Sequence, residues 1–101
     1  MYVFWTPRAR AERAAAIDYI AQENPLAALD QLDEIELQTN LLATQPKMGR
    51  VGRIKGTREL VISRTPFIAV YRIEGQRIEI LRFLHGAQKW PPETIVSTIP
   101  P

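Results

Sequence analysis

The sequence predicts an α+β domain: an N-terminal strand, then an antiparallel helical hairpin packed on a twisted antiparallel sheet, in the order strand–helix–helix–strand–strand–strand. Three observations carry this. Two steps of capping residue and proline, Thr6-Pro7 and Asn24-Pro25, each open a stretch whose apolar residues recur every three or four positions. Beyond residue 57 the apolar period falls to two, the signature of half-buried strands. The chain has 101 residues, 46% of them hydrophobic, enough for one core but not two, so residues 1–101 form a single domain.

Each element follows from local chemistry. Met1 to Trp5 is aromatic and β-prone and forms the first strand, which hands over to a helix at Thr6-Pro7. From Arg8 to Glu23, Ala14, Ile17 and Ala21 define an apolar stripe that Ala16, Tyr19 and Ile20 widen. After Asn24-Pro25 the second helix repeats the pattern at Ala28, Leu32, Ile35, Thr39 and Leu42 and stops at Gln45-Pro46. So short a turn between them makes the two helices antiparallel neighbours. The segment PKMGRVGRIKG, with glycines at 49, 52 and 56, reads as a mobile basic loop with a brief strand around Val51 to Ile54. Three strands follow. Leu60 and Ile62 share a face in Arg58 to Arg64, as do Phe67, Ala69, Tyr71 and Ile73 in the next run. Glu74-Gly75-Gln76 is a tight turn into Arg77 to Leu84, where strict alternation would put Arg82 on the face of Ile78, Ile80 and Leu84, in need of a partner. Residues 91–101 form a proline-rich tail with no clear period.

Composition removes several function classes. The absence of Cys excludes a disulfide framework and Cys-based zinc, and one His excludes a histidine cluster, so neither metal nor other cofactor is expected. No apolar run is long enough to span a bilayer, and the N-terminus places its basic residues after its apolar ones, the reverse of a signal peptide. A cytoplasmic protein with no membrane contact and no small-molecule substrate is the expectation. The net charge of +2 conceals a division: residues 1–46 carry three arginines against seven acidic residues, and residues 47–89 carry ten basic residues against three glutamates. Planar guanidinium forks suit phosphate and carboxylate, so the second half is a candidate face for nucleic acid or an acidic protein segment, against the bland reading of a solvated sheet.

With its strand, helical hairpin and meander, the Pro-x-x-Gly turn of Pro46 to Gly49, the run GTRELVI and the closing Leu84-His85, the chain resembles the RelE/ParE superfamily, toxins of type II toxin–antitoxin modules also described as plasmid stabilisation proteins. The resemblance covers nearly the whole chain and implies two mechanisms. A ribosome-dependent mRNA endonuclease would use His85 as acid or base with Arg64 and Arg82 as phosphate clamps, Arg58 and Tyr71 assisting. A gyrase poison would need no covalent chemistry and would recognise its target through Lys47, Arg50, Arg53, Lys55, Arg58 and an exposed Trp90. Ile68 and Gly86-Ala87-Gln88 stand where the RelE pattern has cationic or reactive groups, and the Arg-x-x-His ending from Arg82 to His85 is closer to the ParE-like branch. The resemblance thus favours inhibition of DNA gyrase, with the nuclease and a degenerate toxin that only binds its antitoxin as alternatives. It also implies a cognate antitoxin docked in an apolar and basic groove between hairpin and sheet.

Overall fold

The computed structural model describes residues 1–92; of the expected tail, positions 93–101 lie outside the described residues. Strand β1 (Tyr2–Trp5) leads into helices α1 (Pro7–Glu23) and α2 (Pro25–Asn40), followed by β2 (Arg50–Val51), β3 (Arg58–Val61), β4 (Phe67–Glu74) and β5 (Arg77–His85). The strands form one sheet in the order β1-β5-β4-β3-β2. The sheet is mixed: the meander is antiparallel throughout, but β1 pairs in parallel with β5, Tyr2 opposite Arg77 and Trp5 opposite Ile80. A fully antiparallel sheet was expected. The parallel edge arises because the two helices carry the chain back before the meander begins, so β1 and β5 meet as strands separated by a long crossover.

Both helices start as their sequences dictate. Thr6 Oγ1 accepts the Ala9 N–H at 3.2 Å, Asn24 Oδ1 accepts the Ala27 N–H at 3.1 Å, and each is followed by proline at the first helical position. Asn24 also donates its backbone N–H to Ile20, so one residue ends α1 and starts α2. Helix α2 tightens at its end into a 3₁₀ turn over Leu41–Ala43 that keeps Leu42 in the core. Gly75, the first of two loop residues between β4 and β5, has φ +57°, which suits a type II′ hairpin turn.

The core lies between the hairpin and one face of the sheet, built from Ile35 and Leu42 against Leu60, Ile62, Phe67, Ala69, Tyr71, Ile78, Ile80 and Phe83. The alternation expected along β5 fails at one place. Val70 pairs with Arg82 while the next residue, Tyr71, pairs with Ile80, so Leu81 is an extra residue in a β-bulge. The bulge reverses the facing of everything after it. Phe83 joins Ile78 and Ile80 in the core, and Arg82 and Leu84 turn to the opposite face, paired across the sheet with Val70 and Ile68.

Candidate functional site

The basic segment after α2 is tied to the sheet at two points, unlike the mobile loop its glycines suggest. The first is Glu59, whose side chain is fully buried beneath it. Oε1 accepts from Arg50 Nη2 at 3.0 Å and Arg53 Nη2 at 3.2 Å, and Oε2 accepts the Arg53 backbone N–H at 3.0 Å. Burial alone would raise the pKa of this carboxyl. The Arg53 N–H and the two guanidiniums outweigh burial and hold it below the ordinary glutamate value, so it stays ionised. Arg53 then reaches on with Nη1 to the Trp90 carbonyl at 2.7 Å.

The second point is Tyr71. Its ring is buried in the core and its hydroxyl emerges at the Pro46–Gly49 turn, donating to the Pro46 carbonyl at 2.7 Å and accepting the Gly49 N–H at 3.0 Å. Burial, more than the opposing influence of the Gly49 N–H and Arg58, raises its pKa above the ordinary phenol value and keeps it protonated. The turn needs glycine because a Cβ at position 49 would stand 2.7 Å from Tyr71 Cε1. Arg58 closes the turn by donating to the Gly49 carbonyl at 2.7 Å. The Pro-x-x-Gly spacing therefore reflects packing on a core tyrosine. Lys47, Arg50, Arg53 and Lys55 are displayed on a braced surface.

Beside this surface, α2 and the β2–β3 edge enclose a groove of about 690 Å³. Leu37, Leu41, Met48 and Val61 line it and are exposed, with Arg50 and Arg64 at its rim. Its polar end is built by Gln38, which accepts the Ser63 N–H at 2.9 Å and donates to the Ser63 carbonyl at 3.0 Å. The groove is apolar along its length, and its two arginines are paired with Glu59 and Glu34.

The three residues of the nuclease set lie on different surfaces. His85 is exposed at the mouth of a second, mainly apolar groove of about 460 Å³, alongside Glu12, Tyr19, Gln31, Phe67 and Phe83; its Nδ1 accepts the Ala87 N–H at 3.0 Å. Arg82 is held by Glu12, with Nε at 3.1 Å from both carboxylate oxygens and Nη2 at 2.9 Å from Oε2. On its other side the guanidinium lies 4.9 Å from the Trp90 ring centroid. Arg64, at the turn between β3 and β4, has φ +67° and projects into solvent, 3.4 Å from Glu34 on the rim of the α2 groove. Trp90, expected to be exposed, is half-buried, with its indole N–H enclosed. Gly86 closes the sheet end, donating to the Pro66 carbonyl at 2.6 Å.

Sequence reasoning missed Glu12 and Glu59. Glu12 belongs to a helix rich in charges, and the bulge, invisible in an alternation pattern, takes Arg82 off the core face to the open edge of β5 that Glu12 reaches. The signal for Glu59 was an acidic residue inside an otherwise apolar strand, the form of a buried partner for basic neighbours.

Residues 3–90 match the family model described as the ParE toxin of the type II toxin–antitoxin system parDE. The protein Y4kP of Sinorhizobium fredii (strain NBRC 101917 / NGR234), named as a candidate toxin, is 41% identical over 87 residues, covering 86% of this chain and 90% of that protein. Toxin RelE2 of Caulobacter vibrioides is 35% identical over 86 residues, covering 85% of this chain and 96% of the relative. Among solved structures, a chain of the chromosomal ParDE toxin–antitoxin system from P. aeruginosa superposes with a TM-score of 0.76 at 32% identity, covering 84% of this chain and 95% of that one.

Proposed function

Because this chain belongs to the ParE toxin family and is the toxin of a type II toxin–antitoxin system, we propose that it arrests growth by binding DNA gyrase and is neutralised by a cognate antitoxin seated in the groove between α2 and β3. One observation carries the choice of mechanism. The guanidinium that a nuclease would aim at the scissile phosphate, Arg82, is clasped by Glu12, while the basic segment from Lys47 to Lys55 is braced from beneath by Glu59 and Tyr71. Binding by a preorganised basic surface loses less side-chain entropy than binding by a loose one. The antitoxin reading draws on the exposed leucines of α2 beside the Arg50–Glu59 and Arg64–Glu34 pairs, a surface matched to an amphipathic segment.

The test is a supercoiling assay with purified gyrase and relaxed plasmid. The unaltered chain is expected to block supercoiling, and the surface substitutions Lys47→Glu and Lys55→Glu together to weaken the block at least about tenfold, two desolvated charge contacts sufficing for that change. A second reading has support from the relative named Toxin RelE2 and from His85 at the mouth of a groove. Unimpeded supercoiling together with cleavage of translated mRNA that is lost in His85→Ala would replace the first reading by the second.

A further inference from the structure

We propose that the face of the sheet that carries no helix among the described residues is a binding lane for single-stranded nucleic acid, distinct from the α2 groove and from the loop assigned to the target except at Arg50, which borders all three. The face carries Arg50, Arg72 and Arg77, whose side chains are 52%, 47% and 43% exposed. What holds them is two carboxylates sunk into the sheet, each shared by two arginines: Glu59 by Arg50 and Arg53, and Glu79 by Arg72 and Arg77. The Glu59 cluster retains one net positive charge, whereas Glu74, 3.8 Å from Arg72, balances the Glu79 cluster. The guanidiniums are held by largely buried carboxylates while Arg50, Arg72 and Arg77 stay about half exposed, the form in which arginine takes phosphate oxygens bidentately.

Aromatic surface lies on the same side. Tyr2 and Phe4 alternate with the core-facing Val3 and Trp5, and are 58% and 38% exposed at the β1 edge. Arg77 lies 5.7 Å from the Phe4 ring centroid and stands opposite Tyr2 in the register. The register places Phe4 beside Glu79 and Tyr2 beside Arg77, so each row across β1, β5 and β4 sets an aromatic ring in line with one arginine and one glutamate. Rows two residues apart are roughly 7 Å apart, from about 3.4 Å per residue, a step short enough for neighbouring nucleotides of an extended strand to meet successive rows. Exposed rings beside backbone-tracking cations are what sequence-tolerant single-strand binding needs, since every base has a face to stack. A duplex would present only phosphates and leave Tyr2 and Phe4 idle.

The test is fluorescence anisotropy of the full chain with a labelled oligothymidylate of about 20 nucleotides, longer than the roughly 4–16 that one small sheet domain occupies. The unaltered chain should bind, with affinity falling as salt rises. Arg72→Gln with Arg77→Gln should bind at least about tenfold more weakly and lower the logarithmic salt slope by about 1.4, roughly 0.7 for each phosphate that is no longer neutralised. Tyr2→Ala, at an exposed position that keeps the fold intact should the arginine pair not fold, should weaken binding about fivefold or more with the slope unchanged. An oligouridylate of the same length separates DNA from RNA as the ligand, and binding of either supports the lane. No anisotropy change at about 50 mM salt, binding of duplex alone, or an equal loss in the helix variant Arg8→Gln would overturn it.

Discussion

Tyr71 is the residue at which core and surface meet. Its ring fills the space between hairpin and sheet, and its hydroxyl carries both a donor and an acceptor bond to the Pro46–Gly49 turn. Tyr71→Phe keeps the ring and strands the buried Gly49 N–H, so a loss of about 1–3 kcal/mol is expected, seen in urea unfolding and in faster exchange of the Gly49 amide. Gly49→Ala should cost about as much for a different reason, a methyl group forced against the ring. At Glu59 the expectation concerns pH. A carboxyl whose folded pKa is depressed contributes stability that is fully present above its unfolded value, about 4.3, and is lost as pH falls through the lower folded value. Melting temperatures measured from pH 7 to pH 3 should fall on the acid side, and Glu59→Gln should lower the neutral melting temperature and flatten that fall. Glu79, held low chiefly by Arg72, keeps its own share in the variant.

The elements show where pattern reading succeeds and where it stops. Both helices were legible because capping residue, proline and apolar period agree, and the hairpin turn was legible in Gly75. The bulge at Leu81 was not, because an extra residue leaves the composition of a strand unchanged while reversing its facing. Its consequence is electrostatic: Arg82 meets α1 at the edge of β5, where Glu12 also accepts the Phe83 N–H at 3.0 Å. That edge is open because β1 ends at Trp5, and Thr6 and Glu12 close it, Thr6 Oγ1 donating to the Leu81 carbonyl at 3.2 Å. Glu12→Ala removes the partner of a largely buried guanidinium and of a strand N–H together. A loss of about 1–3 kcal/mol in urea unfolding is expected, with exchange accelerated at Phe83. Thr6→Val, which removes the helix cap and the bond to the carbonyl but keeps the shape, should cost about 0.5–2 kcal/mol.

Over the whole molecule, the division between an acidic first half and a basic second half becomes a division between helices and sheet. It is bridged by Arg82–Glu12 and Arg64–Glu34. The candidate site was legible as chemistry, in the basic residues 47–58, but not as geometry, because the buried carboxylate and the tyrosine hydroxyl that brace it come from strands read only for their apolar faces. The α2 groove can be tested without disturbing the core: Leu37 and Leu41 are 60% and 40% exposed. Leu37→Asp with Leu41→Asp should leave the melting temperature nearly unchanged and weaken antitoxin capture about a hundredfold or more in a pull-down titration, as removal of two apolar anchors does. The parallel pairing of β1 with β5 reaches beyond the finished structure. Thr6 meets Leu81 across 75 residues, so the first strand made has no neighbour until the last strand has been made. On the ribosome, β1 must therefore wait, unpaired, through synthesis of the helices and the meander. Folding is thereby tied to completion of β5, and a nascent chain halted in the meander lacks the sheet on which both grooves and the arginine face depend.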